Sequence, residues 1–194
     1  MPTTMEFSTY TMESVNLICG DAGDGSNPGV STHLVIRELK LPGLEENNVD
    51  HTAGGAWVQI EIPMFVNKLE AQFNLAGWQP DVMRLFGTNS RILQSYTAYG
   101  LIRDRAKGVA LQARAHMSGR LGRVNPTNFR KNDLMDYEYR ITSIVHYELA
   151  MAEAAGTELV PIYKWDFFTS DFYVGDRNIN DEMINLLAIP GLPV

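Results

Sequence analysis

The sequence predicts a mainly β protein: an antiparallel β-sandwich or barrel with one short helix between strands and a C-terminal helix. Three observations carry this. Apolar and polar residues alternate with period two in several segments, turn formers separate those segments at hairpin spacing, and no strand is followed by a helix long enough for a parallel crossover. At 194 residues one hydrophobic core is attainable without metals or disulfides, because folding at this length hides roughly 70% of the unfolded surface. The expected organisation is a loop-like N-terminal extension over 1–32 and a single β-sandwich domain over 33–194.

The extension ends in the run from Gly20 to Gly29, turn formers with little to bury. From Thr32 to Leu41 the chain turns β-like, and Pro42-Gly43 ends the segment, since proline has no ladder donor and glycine allows a turn. An acidic, Asn-rich loop is expected up to Gly55. Ala56, Val58, Ile60, Ile62 and Met64 alternate with Trp57, Gln59, Glu61 and Pro63; Leu69, Ala71, Phe73 and Leu75 alternate with Glu70, Gln72 and Asn74. Residues 56–76 therefore read as a hairpin turning near Asn67-Lys68, with one apolar and one polar face. Gln79 to Gly87 switches to helical spacing, with Pro80 in the first turn and Gly87 at the stop. Residues 92–105 read as a strand, and Val109, Leu111, Ala113, Ala115 and Met117 alternate with Gln112, Arg114 and His116. A basic loop from Gly119 to Asp133 precedes the longest alternation, Tyr137 to Leu149. Glu158 to Phe168 is a further strand, which Pro161 pushes toward a sheet edge. Asn180 to Ile189 has a capping residue, acids in its first turn and Pro190-Gly191 as its stop, so a terminal helix is expected.

Composition excludes several classes. The chain is 45% apolar and 20% charged with a net charge of −7, as in ordinary globular proteins. A lone Cys19 forms no internal bridge, and C-x-x-C is absent, so neither a disulfide scaffold nor a cysteine zinc site is expected. No run of about 18 apolar residues predicts a membrane span, and the first cation is Arg37, so a secretory signal is not expected.

The charge is segregated. Residues 1–87 carry 11 acids and 4 bases, 88–135 carry 2 and 9, and 136–194 carry 10 and 3, giving −7, +7 and −7. Complementary patches on different faces suit self-association, whereas blocks folded onto each other neutralise within one monomer. A nucleic-acid patch at Arg114, Arg120, Arg123, Arg130 and Lys131 is opposed by the acidic balance of the whole chain.

No catalytic motif emerges, and no enzyme, metal or cofactor is expected. Gly20 to Gly29 lacks the Lys-Ser/Thr of a phosphate loop, and its Asp21, Asp24, Ser26 and Asn27 lack EF-hand spacing. His33, His51, His116 and His146 show no metal-ligand spacing, although His116 and His146 can face each other across paired strands. No nucleophile elbow is present. The stripe Tyr137, Tyr139, Tyr147 suits a core or protein interface better than a ligand-stacking platform, because rings fill space and keep one hydroxyl for a hydrogen bond.

The order of these pieces resembles a known family. Leu39-Lys40-Leu41-Pro42-Gly43-Leu44, Ala53-Gly54-Gly55, Leu69 to Gly77, Leu85-Phe86-Gly87, Met117-Ser118-Gly119-Arg120, the Tyr139 to Leu149 strand, Glu158-Leu159 and Gly175-Asp176 are similar in order and spacing to the major tail tube proteins of contractile-tailed bacteriophages. The similarity spans residues 33–192; the N-terminal extension and the Gly119 to Asp133 loop depart from it. The resemblance implies hexameric rings stacked into a hollow tube within a contractile sheath, an architecture shared with contractile bacteriocins and type VI secretion tubes. It implies two hairpins per subunit joined to those of neighbours in one lumenal barrel, which removes every open strand edge. Implied partners are further copies of the chain, the tail sheath protein, baseplate and tail terminator proteins, and the tape measure protein and phage DNA in the lumen. The implied location is the virion tail, assembled in the host cytoplasm.

On this reading Val58, Ile60, Ile62, Leu69, Phe73, Leu75, Leu111 and Met117 pack inward, and Gln59, Glu61, Glu70, Gln72 and Asn74 line a bore that leaves DNA hydrated and mobile. Arg114 and Arg140 are expected to pair with carboxylates of neighbouring strands such as Glu138. Stacking is expected where acidic Glu45, Glu46 and Asp50 of one ring meet Arg120, Arg123, Arg130 and Lys131 of the next, a heterologous contact that propagates as a filament.

Overall fold

The computed structural model describes residues 9–21, 29–52, 54, 57–86, 93–127, 131, 135–152 and 156–187. Its strands are β1 (Tyr10–Asp21), β2 (Val30–Ser31), β3 (Ile36–Lys40), β4 (Glu46–His51), β5 (Ile60–Val66), β6 (Ala71–Ala76), β7 (Gln94–Asp104), β8 (Ala110–Pro126), β9 (Asp136–Ala152), β10 (Leu159–Asp166), β11 (Asp171–Val174) and β12 (Arg177–Asn178); the helices are α1 (Pro80–Met83) and α2 (Asp181–Leu186). The mainly β, antiparallel class with two short helices is as expected.

One sheet runs β12-β11-β10-β9-β8-β7-β1-β2, every neighbour antiparallel. The 17-residue strands β8 and β9 serve two layers. Over 146–152 β9 pairs with β10, and over 136–141 it pairs with β6, which in turn carries β3. Between these parts the β8–β9 ladder shifts register at Ser118/Arg120 and Leu121/Arg123, and Ser143 adopts φ 52°, the left-handed region. Such bulges bend strands and turn them from one layer to the next. Inward residues of both layers meet in one buried cluster: Phe73 and Leu75, Tyr139 and Ile141, Leu17 and Cys19, Tyr96, Met117 and Tyr147. The tyrosine stripe is core. Phe73 and Tyr139 stack at 5.0 Å and 7°, and Tyr147 meets Tyr163 edge-on.

Four sequence expectations need correction. The expected loop over 1–32 contains β1, which pairs with β7 from Tyr10 to Asp21 and buries Leu17 and Cys19; its short alternation is masked by the glycines that follow it. The hairpin 56–76 does not form. β5 pairs instead with β4, the segment read as an acidic loop, while β6 pairs with β3 and β9. Periodicity names a strand's faces and not its partner, and β6 gains more from β9, where Ala71, Phe73 and Leu75 oppose Ile141, Tyr139 and Tyr137. The basic loop from Gly119 begins as strand, since β8 continues to Pro126. Finally, β10 is not an edge strand over its length, since β9 and β11 flank it; β11 reaches only Tyr163 to Asp166, so the part that holds Pro161 pairs with β9 alone.

Candidate functional site

The part of the molecule that its own chain leaves unfinished is the layer β3-β6-β9-β8. Its four strands alternate in direction, and among the described residues its margins are β3, which pairs only with β6, and the 120–126 segment of β8, which pairs with β9 and bears a single bridge from Phe86 to Leu121. Strand margins present unpaired backbone donors and acceptors.

The inner face of this layer is apolar and the outer face polar, as the alternation of β6 dictates. Register places Lys40, Gln72, Arg140 and Arg123 in one row and Glu38, Asn74, Glu138 and Asn125 in the next. Asn74 Nδ2 donates to Glu38 Oε2 at 2.9 Å. Arg140 lies between two carboxylates, 3.5 Å from Glu70 Oε2 and 3.6 Å from Glu138 Oε1, and Lys68 Nζ is 2.7 Å from Glu70 Oε1. The Glu70 carboxyl is held below its ordinary range, chiefly by the hydrogen bond from Lys68 and against the opposing effect of burial. Arg120 and Arg123 sit at the β8 margin and make no ion pair among the described residues.

Of the five residues expected on one polar face, Glu70, Gln72 and Asn74 do share it; Gln59 and Glu61 do not. Glu61 is on β5, where it accepts from Asn48 Nδ2 at 3.3 Å, and Gln59 precedes that strand. Glu46 and Asp50 stand on β4 and Glu45 at its base, all exposed. Lys131 is exposed, and Arg130 lies outside the described residues. Val58, Ile60 and Ile62, expected to pack inward, are exposed, the isoleucines on the β4–β5 ribbon and Val58 just before it, whereas Leu69, Phe73, Leu75, Leu111 and Met117 are buried. Sequence reasoning missed Glu38 and Lys40 on the polar face, and it treated Arg120 and Arg123 as loop residues although the alternation from Leu111 continues through Leu121.

On the other layer the outward residues of β7 to β10 form a second polar row. Thr97 Oγ1 is 3.0 Å and Ser95 Oγ 3.4 Å from the His116 ring nitrogens, and the His116 and His146 rings meet edge-on at 5.6 Å. His146 Nδ1 is 3.0 Å from Asp166 Oδ2, and Arg114 Nη2 donates to Glu148 Oε1 at 2.7 Å. Burial pushes the Asp166 carboxyl up, but its hydrogen bonds with His146 and with the Thr169 and Phe168 amides outweigh this and hold it below the ordinary value. Cys19 is buried and its thiol is pushed up to about 12, which makes it a packing residue. Among the described residues no three His, Cys, Asp or Glu groups converge on a metal position, and no helix is long and apolar enough to cross a membrane.

The site is thus a set of surfaces suited to pairing with other protein chains. The family model described as phage tail tube protein FII matches residues 26–183. No curated protein matches the chain. Among solved structures, a chain of the sheath/tube terminator assembly of the extracellular contractile injection system PVC, in the extended state, is similar over 77% of this chain and 99% of that one, with 10% identity and a TM-score of 0.50. A chain of the PVC sheath-tube complex in the extended state is similar over 72% of this chain and 88% of that one, with 10% identity and a TM-score of 0.48.

Proposed function

The chain belongs to the phage tail tube protein FII family and is a structural tube subunit; from that premise we propose that six copies close into a ring whose rings stack into the hollow tube of a contractile phage tail, which conducts DNA into the host after sheath contraction. The observation that carries this reading is the four-stranded layer β3-β6-β9-β8, both margins of which are open among the described residues. An even number of alternating strands lets rotational repetition continue the antiparallel pattern: β8 of one copy runs antiparallel to β3 of the next, and closure pairs the two margins of this layer. The polar face then lines the bore. Glu38, Glu70 and Glu138 on that face offset Lys40, Arg123 and Arg140, which keeps the bore from holding a polyanion.

The lumen set becomes Glu70, Gln72 and Asn74 with Glu38, Lys40, Arg123, Glu138 and Arg140; Glu61 belongs to the ribbon and Gln59 precedes it. Sheath, baseplate, terminator, tape measure protein and DNA follow as partners, with the virion tail as location and the host cytoplasm as the place of assembly. Electron microscopy of the purified protein tests the proposal. Six-fold rings or tubes with an open bore are the expected result; a monomer at every concentration overturns it and leaves a β-sandwich binding module.

A further inference from the structure

The outward face of β7 to β10 carries two neighbouring rows. Across the ladders one row reads Thr97, His116, Glu148, Lys164 and the next Ser95, Ser118, His146, Asp166. His116 and His146 are therefore diagonal neighbours on adjacent strands, which brings their rings edge-on at 5.6 Å. Both residues are half-buried, so water screens charges on the two rings less than it would on an open surface.

The carboxylates beside the pair are already engaged. Asp166 places Oδ2 3.0 Å from His146 Nδ1 and accepts the Phe168 and Thr169 amides on Oδ1. Glu148 stands opposite His116 in register, but its Oε1 accepts from Arg114 Nη2 at 2.7 Å, and Lys164 stands opposite it on the other side. Asp171, opposite Asp166, is buried and accepts from Asn178 Nδ2 and from the Thr169 hydroxyl. From β7 come the hydroxyls of Thr97 and Ser95, 3.0 and 3.4 Å from the His116 ring nitrogens; Tyr99 stands opposite Arg114, and Asp21 of β1 stands opposite Ser95. One positive ring thus has a counter-charge in Asp166. A second positive ring shares Glu148 with two cations.

We propose that His116 and His146 act as a one-proton pair, and that charging both rings makes this layer acid-sensitive. Free histidine titrates near pH 6.5, so the response falls between about pH 7 and pH 5. The first proton rests on the ring that Asp166 faces; the second arrives 5.6 Å from it and is repelled. The ladder β8–β9–β10 gives way first, together with the turn after β10, because Asp166 holds both His146 and that turn. In the tube reading this face lies across the core from the bore layer, so protons reach it from outside the tube. The pair lies within one subunit, and its response is expected of free and assembled chains alike.

Thermal unfolding of the full-length protein at pH 8 and pH 5 in low salt tests this, with wild type, His116→Gln, His146→Gln and the double variant closing a double-mutant cycle at each pH. His116→Gln is expected at or below the wild-type midpoint at pH 8 and about 3 °C above it at pH 5. The coupling between the two positions is expected to turn repulsive only at pH 5. Equal coupling at both pH values overturns the proposal, as does a His116→Gln midpoint that falls with acid as far as that of wild type. His33 is exposed and stands apart from the pair; a His33→Gln variant that gains the same shift also overturns it. Histidine-labelled NMR of the wild-type protein needs no variant: one ring charged and the other neutral at pH 5.5 is expected, and two rings that charge together overturn the pair.

Discussion

Phe73 lies flat against Tyr139 at the centre of the buried cluster, and the two are held opposite each other by the β6–β9 register. Truncation there removes a ring from a site with no solvent access, so Phe73→Ala is expected to cost about 3–5 kcal/mol in chemical denaturation. Tyr139 contributes by its ring alone. Among the described residues its hydroxyl is buried without a hydrogen-bond partner, and burial pushes its pKa up to about 12. Tyr139→Phe removes that cost and is expected to leave the unfolding midpoint unchanged or raised. Asp166 gives the opposite lesson, a carboxylate retained by its partners. Its folded pKa lies below the unfolded value of about 3.9, so its contribution is fully present above that pH and is lost as pH falls through the folded value. Asp166→Asn is expected to destabilise at pH 6 and to flatten the loss of stability between pH 5 and 2, measured by urea unfolding at each pH. Alternation marked Phe73 and Tyr139 as inward residues. It had no means to mark Asp166, whose state depends on a histidine 20 positions earlier.

At the scale of elements, the bend shared by β8 and β9 converts one sheet into two layers. Gly122 sits in it, where an added Cβ falls 2.3 Å from Thr142 Oγ1, and Gly119, where one falls 3.1 Å from the Thr142 carbonyl oxygen. Gly122→Ala is therefore expected to destabilise by about 1–3 kcal/mol through overpacking, read as a lower thermal midpoint, whereas Ser143→Gly, which relieves a positive φ, is expected to be tolerated. Most strands were legible because each has one face in the core. The β4–β5 ribbon was legible only as a period and not as a pairing, because neither of its faces meets the core of its own subunit. An apolar alternation that finds no bed in its own chain is what the sequence pattern cannot distinguish from an ordinary core strand.

For the whole molecule, in the proposed tube the charge on the polar face of the β3-β6-β9-β8 layer sets how the bore treats a polyanion. Glu70 and Glu138 flank Arg140 on that face. Replacing both with lysine leaves the arginine uncompensated and turns the face basic. Tubes of Glu70→Lys/Glu138→Lys are expected to retain DNA in a co-sedimentation assay, with binding that falls steeply as salt rises, whereas wild-type tubes do not. The sequence by itself determined the mainly antiparallel β class, the two short helices, the inward set from Leu69 to Leu75 and the inward Tyr137, Tyr139, Ile141 and Tyr147, and the resemblance that pointed to a tube; these follow from side-chain period and the order of short motifs, which are local properties, whereas at the bend Ser143 is exposed and Ile144 buried, against the alternation. Only the tertiary structure decided which strands pair, that β1 belongs to the sheet, that Glu61 stands on a ribbon apart from Glu70 with Gln59 just before it, and that two margins stay open among the described residues. Pairing is chosen by competition among all strands for the same core, and that competition is settled by contacts between residues far apart in the chain.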